Sequence, residues 1–295
     1  MTQTTLLPSE PDLALPAAKP PAPRPITRIG PKPRWQLVDL RELWAARELL
    51  FQLARRDVSV RFKQTIFGFA WAVVPAVSTM LVFTVFLGRL GKLGEGDPLY
   101  PLFVLGGTLP WAFFSSAVAA AGNSLLNNQG LVTKVYFPRL ILPLAAFGTP
   151  AVDLAIGCGL LFALMAWYGV VPTAGLVLLP LAAAVLALAA AGVGILLSAL
   201  IVAQRDFRFL LGLGLQLWMF ATPCIYLKPE TFSDDTRALL PLNPAYGPIL
   251  AFRQSILGGP IDAYALGVSA LVSVLLLFVG LLYFRRTERS FADVI

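Results

Sequence analysis

The side chains able to do chemistry are few, and they are unevenly spread. There is no histidine, which removes imidazole acid–base catalysis, a Ser–His–Asp relay and His-containing zinc sites. The two cysteines, Cys158 and Cys224, stand in apolar stretches without metal-ligand spacing. They read as packing residues, so neither a disulfide framework nor a metal site is expected. No G-x-x-x-x-G-K-[ST] occurs, and Gly88-Arg-Leu-Gly91-Lys92 has the wrong spacing, so the chain cannot cradle ATP in a P-loop of its own. One acid, Asp153, lies inside a long apolar stretch. A charge there is costly, and the carboxylate is either a structural hydrogen-bonding group or a proton carrier.

The elements that must position these residues are membrane spans. Of 295 residues 57% are hydrophobic and 13% charged, against roughly 45 to 50% and about 25% in a soluble domain. Mean hydropathy is +0.75, and a soluble enzyme is the first reading to fall. Six apolar segments each approach the roughly 20 residues that cross a bilayer: Phe67 to Leu87, Pro101 to Ala121, Leu140 to Trp167, Ala174 to Val202, Leu210 to Leu227 and Tyr264 to Phe284. Prolines within them are tolerable because neighbouring helices can take up the freed backbone groups. The run Leu181 to Gly192 holds only Ala, Leu, Val and Gly, which predicts a close helix-packing face.

Residues 1–34 carry nine of the 24 prolines and read as a disordered cytoplasmic tail, with no apolar stretch suited to a signal peptide. From Asp39, a helix cap with Glu42 three residues on, Leu40, Leu43, Trp44, Phe51, Ala54 and Val58 fall on one face. The pattern over 35–66 predicts an amphipathic helix lying along the membrane surface. Counting Lys plus Arg places 18 on the side of both termini and 5 on the other, so both termini are expected in the cytoplasm. The net charge of +7 then follows from topology and needs no nucleic acid.

Three stretches outside the spans are candidates for function. Arg55-Arg56-Asp57 opens a basic segment running to Lys63, suited to anionic headgroups or to a partner-facing elbow. Asn123 to Arg139, with Lys134 and Tyr136, is longer than the about 2 to 8 residues a plain connection needs, which predicts a short helix that docks something; Arg205 and Asp206 mark a weaker candidate of the same kind. The outer segment from Lys228 to Asp262 contains an apolar piece, Pro244 to Leu257, too short to span, expected to be interfacial or re-entrant and able to form a lid. Aromatic residues gather at Trp111, Phe113 and Phe114 and at Trp218, Phe220 and Tyr226. Most would pack or anchor, while some could line a passage, since sugar rings stack on aromatic faces.

The stretch RDVSVRFKQTIFGFAWAVVPAVSTMLVFTVFLGRL from Arg56 to Leu90, then YPLFVLGGTLPWAFFSSA, NSLLNNQGLVTKVYFPRLILPLAA and LNPAYGPILAFRQSILGG, closely resembles the permease subunit of bacterial type-2 ABC exporters for polysaccharides such as O-antigen, capsule and wall teichoic acid. The likeness covers roughly residues 41–290; the tail lies outside it, and Phe62 stands where the family usually has Tyr. It implies an all-α integral membrane protein with six spans over 67–284, an N-terminal interface or gate helix, short periplasmic gate helices within 228–262 and a cytoplasmic end at 285–295. It further implies a homodimer in the bacterial inner membrane, two separate nucleotide-binding subunits that hold ATP and Mg, and a lipid-linked polysaccharide as substrate. By position, Arg56 and Asp57 would belong to the gate helix facing the ATPase, and 122–139 would hold the coupling helix. Trp111, Phe114, Trp218 and Tyr226 would guide the sugar chain. The rivals are a proton-coupled secondary transporter using Asp153 and a membrane-embedded transferase, the latter lacking an evident carboxylate pair.

Overall fold

The computed structural model describes residues 40–63, 70–91, 94, 97–171, 174–223, 227, 232–288 and 291. The proline-rich tail, the Asp39 cap, Cys224 and Tyr226 lie outside them. Among the described residues the regular structure is helical, with no strand. A surface helix broken at Ala46 comes first, as α1 (Leu40–Ala45) and α2 (Arg47–Phe62). It is followed by α3 (Ala70–Phe83), continued by a π-helical stretch to Leu90, and by α4 (Tyr100–Asn127). Then come α5 (Gln129–Lys134), α6 (Ile141–Ala145), α7 (Gly148–Trp167), α8 (Leu179–Ala203) and α9 (Asp206–Phe220). The chain ends through α10 (Asp234–Leu239), α11 (Tyr246–Leu257) and α12 (Ala263–Thr287).

Among the described residues five helical stretches are long and apolar enough to cross a membrane: Ala72–Leu90, Tyr100–Asn127, Ile141–Trp167, Ala174–Ala203 and Ala263–Thr287. They match five of the six expected spans. The remaining one is represented by α9, whose 15 residues rise only about 22 Å, short of the roughly 30 Å of hydrocarbon.

Burial separates these stretches. The most apolar window of α4 is 78% buried, that of the Ala72–Leu90 stretch only 11%, so α4 is the central post and α3 lies at the periphery. Around α4 stand α3, α7, α8 and α11, while α8 makes its most extensive contact with α12. The small-residue run earns its place in that contact: a Cβ on Gly192 would stand 2.6 Å from the backbone nitrogen of Leu277, and one on Gly280 would stand 2.7 Å from the carbonyl oxygen of Gly192. Only glycine lets these two backbones come so near, which is how helices gain contact in lipid.

The surface helix turns differently from expectation. Leu53 is buried, and Leu43, Leu49, Leu50 and Ala54 pack with it against Leu125, Ile141 and Phe284. Trp44 and Phe51 point outward at 70% and 67% exposure. Both sides of the helix hold apolar residues; the narrower aliphatic side meets the bundle because it fits closely there, where α2 runs against α6 and the start of α7.

Candidate functional site

The two ends of the bundle carry different chemistry. The proximal end is the one that gathers α2, α5 and the last turns of α12. Arg56 donates from Nε and Nη2 to Oδ1 of Asp57 at 3.0 and 2.8 Å, and Nη2 also reaches Oδ1 of Asn128 at 2.8 Å. One guanidinium thus ties the surface helix to the junction of α4 and α5, the planar fork of Arg holding two acceptors at once. The expected pairing of Asp57 with a nearby base is present. The link from Arg56 to Asn128, 72 residues further on, was not readable from spacing.

Beyond Asn128 the expected short helix is present as α5. Lys134, Val135 and Tyr136 follow in the open, with Tyr136 71% exposed. Arg139 behaves otherwise: Nη1 donates to the carbonyl oxygen of Glu288, and its guanidinium lies 6.0 Å from the ring centre of Phe291. Phe291 is buried against Phe284 edge to face. Arg139 therefore ties Glu288 and Phe291 to the start of α6, while Arg55, Arg205 and Asp206 are exposed at the same end.

Asp153 is not an isolated intramembrane acid. It lies in the second turn of α7, and Arg61, near the end of α2, reaches its Oδ2 at 2.9 Å. A permanent cation beside the carboxylate satisfies the charge locally, which favours the structural role over the proton carrier. Arg61 was part of the basic segment seen in the sequence, but nothing there pointed to its partner.

At the distal end, where α10 meets the start of α12, Asn243 organises a polar knot. Trp218 of α9 donates from Nε1 to Asn243 Oδ1 at 3.0 Å, and Asn243 Nδ2 donates to Thr222 Oγ1 at 2.9 Å and to the carbonyl oxygen of Ala221 at 3.3 Å. The Ala245 N–H caps the same Oδ1, and Ser269 of α12 donates from Oγ to the carbonyls of Pro241 and Asn243. Asn243 stands in the LNPAYG string, yet only the fold shows that it joins three elements. Helix α9 thus runs from Asp206 at the proximal end to this knot at the distal end.

The outer apolar piece forms α11, which is buried in the bundle and not laid open on its surface. Ten of the twelve α11 residues, from Tyr246 to Ile256, are buried among α4, α8 and α12. Gly247 permits it: a Cβ there would lie 2.2 Å from the carbonyl oxygen of Ala265. Arg253 is buried at 3% exposure with its guanidinium 4.0 Å above the Phe103 ring, a cation–π contact joining α11 to α4.

The aromatic candidates divide. Phe114 is fully buried and Trp111 nearly so, their ring centres 5.4 Å apart and their planes tilted by 39°, with Trp218 edge-on to Phe114 at 5.3 Å. Within one chain these rings form core. Phe220 is 57% exposed and shares the open face of α9 with Leu213, Leu217 and Gln216.

A helical bundle with several helices long and apolar enough to cross a membrane, a surface helix at one end and a short buried helix at the other is the frame of a membrane transport subunit. Residues 48–257 match the ABC-2 type transporter family, and the chain belongs to it. The O-antigen export system permease protein RfbA of Myxococcus xanthus is 29% identical over 258 residues, spanning 87% of this chain and 98% of that protein. A protein of the same name from Klebsiella pneumoniae is 26% identical over 253 residues, with 84% and 95% covered. The polysialic acid transport protein KpsM of Escherichia coli is 23% identical over 239 residues, with 80% and 92% covered.

Proposed function

We propose that the chain is the membrane-spanning subunit of an ATP-driven exporter that moves lipid-linked polysaccharide of the O-antigen or capsule type across the bacterial inner membrane. The observation that carries this reading is end-to-end similarity to permeases whose names specify O-antigen export and polysialic acid transport. Two copies of the chain enclose the passage, α9 makes the sixth crossing, and both termini face the cytoplasm. Energy comes from a separate nucleotide-binding subunit in two copies, which holds ATP and Mg, since no P-loop is present in the sequence.

The proximal surface fits the docking role. Lys134 and Tyr136 stand free of the bundle at the end of α5, and Arg56 transmits any movement of α5 to the surface helix through Asn128. Of the aromatic residues, Phe220 is exposed on α9, while Trp111, Phe114 and Trp218 pack on the core. Such transmission requires that ATP favour one of two packings differentially.

The test is co-purification. Tagged wild-type chain brings down its ATPase, and Lys134→Glu with Tyr136→Ala reduces recovery by about tenfold, a loss of roughly 1.4 kcal/mol, while the chain still elutes as a folded species. Undiminished recovery contradicts the docking role. Deleting the gene and finding unchanged surface polysaccharide contradicts the exporter reading itself.

A further inference from the structure

On the proximal side, α4 and α9 diverge and leave an open groove of about 500 Å³, within the size range of small-molecule sites. Its mouth is polar and its depth apolar. Asn127, Asn123 and Arg208 lie toward the proximal end, with Ala120, Gly212 and Leu215 deeper; Asn127 to Ala120 spans about 10 Å of helix rise. Arg208 is exposed and has no ion-pair partner among the described residues. The groove is lined by no carboxylate, the nearest in sequence being exposed Asp206 in the first turn of α9. Asn123 uses its amide nitrogen on the carbonyl of Ala119 at 2.9 Å, and its buried Oδ1 has no donor among the described residues.

A guanidinium at the mouth suits a phosphate, which it can bind through paired N–H groups. An orphaned amide oxygen suits a hydroxyl or amide donor, and walls of Ala, Gly and Leu suit an aliphatic chain. We infer that this groove holds the phosphate and first sugar of the lipid-linked substrate on the leaflet where it loads, with the polyprenyl chain against Leu215. The inference rests on the exporter reading and adds to it the residues that recognise the head group. Bulk anionic phospholipid shares the phosphate and the chain but offers a different donor pattern to Asn123.

The experiment uses the chain with its ATPase in phosphatidylcholine nanodiscs and a fluorescent polyprenyl diphosphate bearing one N-acetylglucosamine. Arg208→Gln should weaken probe binding by about tenfold, the scale of one lost charge-assisted contact. Gly212→Leu should weaken it comparably by filling the groove, since a Cβ at Gly212 meets nothing within 4 Å and the substitution strains no packing. Arg89→Gln, at the opposite end, should bind as wild type. Wild-type binding by both Arg208→Gln and Gly212→Leu overturns the proposal. Displacement of the probe by equimolar phosphatidylglycerol overturns it in favour of a lipid-headgroup site, and loss of dimer by Gly212→Leu with binding intact overturns it in favour of a second copy. Should Arg208→Gln misfold, Gly212→Leu decides alone. Export that depends on the chain but is normal in both variants removes the groove and leaves the exporter reading standing; export independent of the chain removes the reading.

Discussion

The ion pair between Arg61 and Asp153 shows how one contact changes the meaning of a residue. An acid within an apolar stretch suggests proton coupling; the same acid 2.9 Å from a guanidinium is a clasp between α2 and α7. Asp153 Oδ1 is buried with no hydrogen bond among the described residues, so the carboxylate depends on Arg61. Arg61→Gln should lower stability by about 1 to 3 kcal/mol, the cost of stranding a polar group, measured by thermal unfolding in detergent. Adding Asp153→Asn should recover most of that loss by removing the charge. Losses that simply add would show that the two residues do not act as a pair. The acid and the basic cluster were both visible as residues, but their meeting depends on how α2 lies against α7.

Among elements, the α8–α12 contact was the most legible and the surface helix the least. A run of Ala, Leu, Val and Gly announces close approach because lipid supplies no hydrophobic drive, leaving packing to decide. Gly192→Val should therefore cost about 1 to 3 kcal/mol through overpacking against the Leu277 backbone, seen as reduced yield and a lower melting temperature. Gly159→Val is the matched control, since Gly159 is exposed and has nothing within 4 Å of an added Cβ; an equal loss there would place the cost in helix propensity instead. The surface helix offered two apolar sides, and hydropathy cannot distinguish a side chain that enters lipid from one that enters protein. Leu53 went inward, Trp44 and Phe51 outward.

For the whole molecule the open quantity is the number of crossings, and α9 decides it. Its 15 residues are short, but it begins beside the proximal groove and ends at the distal Asn243 knot. Single cysteines at Gly130, after the second span, and at Asp235, in α10, report on this in a chain cleared of Cys158 and Cys224. A membrane-impermeant maleimide added to intact spheroplasts should label Asp235→Cys and leave Gly130→Cys unlabelled until the membrane is opened. Labelling of both from the same face would mean that α9 turns back without crossing. The parity matters because it also places the far end of α12, where Arg139 holds Glu288.

Composition, run length and charge bias by themselves determined that this chain lives in a membrane and where five of its spans fall. Those properties are sums over many residues and survive ignorance of contacts. Tertiary structure alone decided that Asp153 is paired, that Arg139 binds the carbonyl of Glu288, that Phe114 is core, and that the outer apolar helix is inserted among α4, α8 and α12. Each of these depends on which of two apolar surroundings, lipid or protein, a side chain enters, and both look the same on a hydropathy scale.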